Sequence, residues 1–431
     1  MTEVGLDMEL SEYIQSCRIC KSFKLTPILD LGFQPLSGVF LSEPTNSLQS
    51  YSLELFSCQE CSLVQLGKTA ELEIMYGETY GYRSGLNPTM ETHLSRVAAE
   101  VKSFLPQSNK KLVVLDIGSN DGTFLNNFEQ AKFTKVGIDP SARKFQNYYD
   151  AETKIIFDFF NKEVIRENIN SKIDLVTSIA MFYDLEDPIS FANQIHDLLQ
   201  TDGLWYLEVC YGPWVAGTGS FDTICHEHLE YYSLENLLMV FNSTGFEVVK
   251  TFLNDSNGVS LGILVRKNKK GFPKYLSGEN VFDWLLELER KHDLNSINAW
   301  HESADLLLAK RKGFTTLINE IKSEGMTIYA MGASTKGNVL LNYMQLTSNE
   351  ISAIGEVNES KIGKFTPGTN IPIISETEVL DRNPDYLIFL PWHFREFAIR
   401  KYQNYLDGGG KLIFPLPNLE IYSREIEINE G

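Results

Sequence analysis

No stretch of this 431-residue chain approaches the ~20 consecutive apolar residues that a membrane-spanning helix needs, which argues against a membrane protein. Basic residues are scarce: 38 Lys and Arg stand against 57 Asp and Glu, a formal net charge of −19. Such a surface repels the phosphates of nucleic acid unless a local basic face compensates. The densest basic stretches, Arg266 to Lys270 and Lys310 to Lys312, are short and read as solvated faces. The opening "MTEVGLDMELSEY" is acidic and lacks the basic and apolar blocks of a secretion signal, so a cytoplasmic protein is expected. Cysteine is sparse, at six residues, and in a reducing compartment those thiols stay free. Histidine is nearly as rare, at seven, so where histidines gather is informative. What remains is a soluble globular composition, 43% hydrophobic and 12% aromatic, on a chain too long for one core.

Four of the six cysteines form two C-x2-C pairs, Cys17 and Cys20 in "CRIC" and Cys58 and Cys61 in "CQEC". Two such knuckles can converge on one tetrahedral ion, and a closed four-thiolate set leaves no open position for catalysis. Disulfides or a redox C-x-x-C fit less well, because the compartment reads as reducing and no thioredoxin-like strand and helix surround either pair. The spacing therefore predicts one structural Zn2+. The long segment between the pairs, with "LDLGFQPL", should hold structure of its own.

From Leu112 the pattern changes. "KLVVLDIGSNDGTFLNNF" reads as a buried strand, a Gly-rich turn and a helix; "TKVGIDPSA", "KIDLVTSIAMF" and "GLWYLEV" supply further strands. Strands alternating with helical stretches predict a mostly parallel sheet that binds ligands at the strands' carboxyl ends, around Gly118, Asp139 and Tyr183. In the turn Gly118-Ser119-Asn120-Asp121-Gly122, Asn120 and Thr123 stand where a dinucleotide fingerprint has its second and third glycines. A preceding acid, Asp116, with Gly-x3-Gly suits a ligand without phosphates, and Asp139 would grip both ribose hydroxyls. That is the pattern expected of S-adenosylmethionine (SAM) rather than NAD. "FDFF", Phe157 to Phe160, offers adenine contacts.

Residues from about 280 to 322 repeat apolar positions at helical spacing and predict helices that join domains. "MTIYAMGASTKGNVLLNYM" then starts a second strand–loop–helix unit, with "ISAIGEV", "DYLIFLPW" and "GGKLIFPLP" as later strands. Its turn, Gly332 to Asn338, is no P-loop: Lys336 precedes the second glycine, Gly337, and no Ser or Thr follows it. An anion cradle at a helix N-terminus, with Lys336 as counter-charge, is the expectation. The chain thus divides into residues 1–70, 71–268 and 269–431.

Within the second of these units lies "CHEHLEYYS", Cys225 to Ser233, which crowds proton-handling groups into nine positions. Spacing alone does not choose between His226 and His228 as a base.

The order "CRIC…CQEC", "LDLGFQPL", "LDIGSNDGTFL", "HEHLEYYS" and "GASTKGNVLLNY" resembles, over essentially the whole chain, the SAM-dependent C-methyltransferases of nucleotide-linked ketosugars. The resemblance implies an α/β protein with an N-terminal zinc-binding module, a central Rossmann-like SAM domain and a C-terminal Rossmann-like domain that helps to bind the sugar nucleotide. It implies methylation at C3 of a 4-keto-6-deoxy sugar carried on dTDP, GDP or another nucleoside diphosphate, by a monomer that binds neither nucleic acid nor membrane. It makes His228 the base and Glu227 its supporting acid, with His226 secondary. It brings Tyr80 or Tyr82 near the methyl donor. Relatives often carry tyrosine where this chain has Cys225 and histidine where it has Asp184, so the expectation is either that Tyr183, Tyr231 or Tyr232 assists the enolate or that the substrate presents its ketone differently. The cofactor set is Asp116, Gly118, Asn120, Asp121, Gly122, Asp139, Pro140, Asp158, Phe159, Phe160 and Ala180. The substrate set is Gly332, Ala333, Thr335, Lys336, Gly337, Asn338 and Trp392. The competing readings are an O- or N-methyltransferase, an NAD-dependent sugar oxidoreductase, and a non-catalytic zinc scaffold.

Overall fold

In the computed structural model, which describes residues 13–71, 75, 81–256, 258–268 and 280–424, the two cysteine turns frame a small antiparallel sheet. Strand β1 (Leu25–Pro35) pairs with β2 (Ser50–Cys58) so that Leu25 lies opposite Cys58, which brings the two knuckles to one end. The pairing is irregular between Asp30 and Phe33, where Gly32 takes φ +79°, so "LDLGF" bends rather than running on as a regular strand. β3 (Val64–Leu66) adds to β2. Leu53, Leu55, Leu63 and Leu66 are fully buried beneath this sheet.

The central sheet follows from strands that read as continuous apolar runs because both faces are covered. In chain order these are β4 (Leu112–Ile117), β5 (Phe133–Ile138), β6 (Lys154–Ile156), β7 (Ile173–Ile179) and β8 (Leu199–Cys210). β9 (Glu230–Tyr231) leaves this sheet and pairs antiparallel with β3, so the segment "CHEHLEYYS" is built into the N-terminal sheet. β10 (Phe246–Asn254) and β11 (Ser260–Lys267) return as an antiparallel hairpin, and the final order is β10-β11-β8-β7-β4-β5-β6. A helix was expected directly after the glycine turn, but the chain there makes only a 3-10 turn, Leu125–Asn127. The cause is local: the Asn127 side chain donates to the carbonyls of Thr123 (2.9 Å) and Phe124 (3.3 Å), which competes with helix formation.

Two helices, Asn280–His292 and Ile297–Ser323, carry the chain to a six-stranded sheet. Its strands are β12 (Ile328–Met331), β13 (Ile354–Glu356), β14 (Ile373–Ser375), β15 (Tyr386–Phe389), β16 (Lys411–Phe414) and β17 (Glu420–Tyr422), in the order β14-β13-β12-β15-β16-β17 with only β17 antiparallel. The three sheets are tied by specific bonds. Asn338 Nδ2 donates to Ser37 O at 2.7 Å, Thr45 N to Asn370 Oδ1 at 3.0 Å, and Trp392 Nε1 to Asp222 Oδ2 at 2.7 Å. Among the described residues, no helix is long and apolar enough to cross a membrane.

Candidate active site

The four N-terminal thiols converge as their spacing predicts. Cys17 and Cys61 Sγ atoms are 3.5 Å apart, Cys20 and Cys58 Sγ atoms 3.4 Å, and all four lie within 4.8 Å of one another. Four sulfurs each ~2.3 Å from a tetrahedral zinc ion would sit about 3.8 Å apart, so the cluster fits such an ion with small adjustment. The residues that follow the knuckles, Lys21 and Ser62, both take positive φ and donate their backbone N–H back to Cys17 O (3.0 Å) and Cys58 O (2.8 Å). The two turns are thus alike in shape. Arg18, buried between the cysteines, donates to Leu66 O (2.8 Å) and Thr69 Oγ1 (3.1 Å) and lies 3.5 Å from Glu230 of β9. This contact links the knuckle to the histidine-bearing segment.

A cavity of about 870 Å³ opens where the carboxyl ends of the central and C-terminal sheets face each other. Its central-domain wall takes in Asp116, Gly118, Asn120, Asp139, Pro140, Asp158, Phe159, Phe160 and Ala180. Gly118 (φ +74°) and Asn120 (φ +48°) hold the turn open in backbone conformations that L residues seldom adopt. Asp139 caps the turn that follows it, its Oδ1 accepting from Ser141 N and Oγ (both 2.6 Å) and its Oδ2 from Asn120 N (2.8 Å). Its carboxylate is therefore fixed before any ligand arrives. Asp116 accepts from Thr177 Oγ1 at 2.6 Å, and burial raises its pKa to about 7.

Asp121 and Gly122, expected in the cofactor set, lie behind this wall and not on it. Asp121 accepts from Gly85 N (2.9 Å) and lies 3.3 Å from Arg83 Nε, while Asn120 Nδ2 donates to Tyr82 O (3.1 Å). The turn's side chains thus hold residues 82–85, including cavity-lining Tyr82, over the site. Gly122 (φ +77°) is a packing position, where a Cβ would come within 2.6 Å of the Tyr149 ring. Tyr80 lies outside the described residues.

Sequence reading missed Glu208. It interrupts the apolar run near the end of β8 and lines the cavity, accepting from Tyr206 OH (2.9 Å) and Asn254 Nδ2 (3.1 Å) and pairing with His93 Nε2 at 2.9 Å. An acid near the end of a buried strand, like Asp116 and Asp139, was the available signal.

The histidine segment separates its members sharply. His228 lines the cavity, and its Nδ1 lies 2.7 Å from Thr223 O. A carbonyl only accepts, so Nδ1 carries the hydrogen and Nε2 keeps the lone pair. Burial, and then the Lys336 cation, lower the His228 pKa to about 3, so the ring stays neutral. Tyr183 packs edge-on against it, ring centroids 4.4 Å apart, and also lines the cavity. His226 does not: it is fully buried, its Nε2 3.2 Å from Tyr51 O and its ring edge-on to Tyr51 at 5.8 Å. It anchors the segment to the N-terminal sheet and does not line the cavity.

Cys225 and Glu227 both line the cavity. Burial and the neighbouring Glu227 carboxylate push the Cys225 thiol well up, so it stays protonated. Burial likewise raises Glu227, whose Oε2 is buried without a hydrogen bond. Of the three candidate tyrosines only Tyr183 reaches the cavity wall. The Tyr231 hydroxyl lies 3.5 Å from Thr223 O, and Tyr232 is buried against Phe182.

On the C-terminal side Gly332, Ala333, Ser334, Thr335 and Lys336 line the cavity. Ser334 caps the helix Thr335–Met344 by accepting from Gly337 N at 3.0 Å. A Cβ at Gly332 (φ +83°) would come within 2.5 Å of Pro391. Gly337 and Asn338 face inward instead, with Asn338 spent on the Ser37 bond. Trp392 is likewise spent on Asp222, while its neighbours Pro391, His393 and Phe394 form the wall.

Three family models match the chain in succession. They are "Putative zinc binding domain" over residues 17–76, "Methyltransferase domain" over 90–251 and "C-methyltransferase C-terminal domain" over 255–417. The chain is similar to C-methyltransferase NovU of Streptomyces niveus, 28% identical over 96% of this chain and 98% of that one. The tRNA U34 carboxymethyltransferase of Campylobacter lari is 29% identical over 24% of this chain and 38% of its own length. Among solved structures, magnesium protoporphyrin IX methyltransferase from Synechocystis PCC 6803 with bound SAM covers 41% of this chain and 79% of its own, at 13% identity and a TM-score of 0.31. Running from the cysteine knuckles to the second α/β domain, the three models and the NovU match together support a SAM-dependent C-methyltransferase.

Proposed function

We propose that this enzyme methylates the carbon next to the ketone, C3, of a 4-keto-6-deoxy sugar linked to a nucleoside diphosphate, and that one structural zinc ion holds its N-terminal module. The observation that carries the reading is His228, a neutral imidazole fixed by Thr223 O so that its basic nitrogen is Nε2, on the wall of a cavity shared by two nucleotide-type folds. A carbon acid needs a placed base and a stabilised enolate, whereas an oxygen or nitrogen nucleophile needs no such carbon base.

SAM, when bound along Gly118 and Asp139, supplies an electrophilic methyl group. His228 Nε2 takes the proton from the sugar carbon, and the electron pair moves onto the ketone oxygen. In this reading Tyr183, which packs against His228 on the cavity wall, donates a hydrogen bond to that oxygen, a role for which the Cys225 thiol is too weak a donor. Lys336, at the start of the helix Thr335–Met344, faces the diphosphate.

The test is solvent deuterium wash-in at C3, using 4-ketosugars on dTDP, GDP and CDP made in situ by their dehydratases. Wild-type enzyme should exchange and methylate at the same carbon. His228→Ala should lose both, with kcat reduced roughly 10²–10⁴-fold while SAM still binds. Methylation at oxygen or nitrogen with no exchange would overturn the proposal.

A further inference from the structure

Two strand ends in this molecule are built alike. At the end of β5, Asp139 lies beside Gly118 with its carboxylate fixed by backbone N–H groups. At the end of β13, Glu356 occupies the matching place beside Gly332 in the C-terminal sheet. Its Oε1 accepts from Val357 N (2.7 Å) and Asn358 N (2.9 Å). Glu356 is only 9% exposed and lines the cavity, and its Oε2, to which no described residue donates, is not sealed in protein but open to the cavity. A carboxylate that deeply placed, half satisfied, is expected to meet a donor when the cavity fills. Lys361 stands beside it on the wall, its Nζ donating to Ala333 O at 2.8 Å.

The structure assigns Glu356 as the acceptor for the vicinal ribose hydroxyls of the substrate nucleotide, with Lys336 and Lys361 on the diphosphate side. This rests on the reading that a sugar nucleotide occupies the C-terminal half of the cavity. An acid at the end of the second strand of such a unit is where a ribose 2′-hydroxyl is recognised. The substrate is then a ribonucleoside diphosphate sugar, because a 2′-deoxy sugar leaves the carboxylate with one donor fewer.

Binding of UDP, GDP, CDP and ADP to the full chain in the presence of SAM, each compared with its 2′-deoxy counterpart, tests the assignment by calorimetry. For the base that binds best, the ribonucleotide should bind about tenfold or more tightly, the worth of a hydrogen bond to a charged acceptor. Glu356→Gln keeps an oxygen for Val357 and Asn358 but turns the free position into a donor. It should bring the ratio to about one, with SAM affinity unchanged as the check on folding. Equal wild-type affinity for the two sugars, or a preference that survives Glu356→Gln, overturns the assignment and leaves the proposed function standing. No binding of any of these nucleoside diphosphates, nor of dTDP, with SAM bound normally, overturns both.

Discussion

Thr223 contributes to His228 through a backbone carbonyl, so nothing in its side chain marks it. The bond at 2.7 Å selects the tautomer, and burial with the Lys336 cation sets the protonation state. The sign is clear: the folded-state pKa is depressed from 6.5 to about 3, so the neutral ring is retained as pH falls through the ordinary histidine range. In 15N-histidine NMR of the free enzyme, the His228 signal should show no titration between pH 5 and 8. A midpoint near 6.5 assigned to His228 would contradict the geometry. The same reasoning predicts that Lys336→Gln raises the His228 pKa, since it removes one of the two effects that lower it.

At the scale of elements, what the sequence made legible was local. Both cysteine knuckles, the buried strands and the two glycine turns follow from spacings within a few residues. The long connecting helices follow from apolar periodicity. What was hidden depended on partners far along the chain. His226 and His228 are two positions apart in a turn, where strand alternation does not apply, and their different partners, Tyr51 for one and Thr223 with Tyr183 for the other, separate them. Asn338, Gly337 and Trp392 belong to attractive motifs but are turned toward other parts of the protein. The missing helix after Gly122 was misread because asparagine's side-chain bonds to the backbone outweighed the apolar pattern. The knuckles carry their own prediction. Protein purified without added zinc should contain about one zinc per chain by metal analysis. Cys17→Ser should lower soluble yield and melting temperature more than it alters turnover of the folded remainder. Folded, active protein with four titratable thiols and no metal would refute the zinc proposal.

For the whole molecule, strand ends of two separate sheets line the cavity, and the proposal gives each edge its own ligand. Asp139→Ala should raise the KM for SAM roughly tenfold or more, the worth of a lost charged hydrogen bond, with little effect on the sugar nucleotide. Lys336→Ala should do the reverse. Steady-state kinetics with each ligand varied in turn would show this, and equal effects of both changes on both ligands would contradict separate sites. The pairing of β9 with β3 has a further consequence, for how the protein is made. The N-terminal sheet emerges from the ribosome with one edge uncovered, and its partner strand lies far downstream at Glu230–Tyr231. At ~5–20 residues per second, that edge waits about ten to thirty seconds for the strand that covers it. Unpaired strand edges are templates for misassociation. Until synthesis has passed His228, the nascent enzyme is therefore open to aggregation at the edge where that histidine's segment will dock.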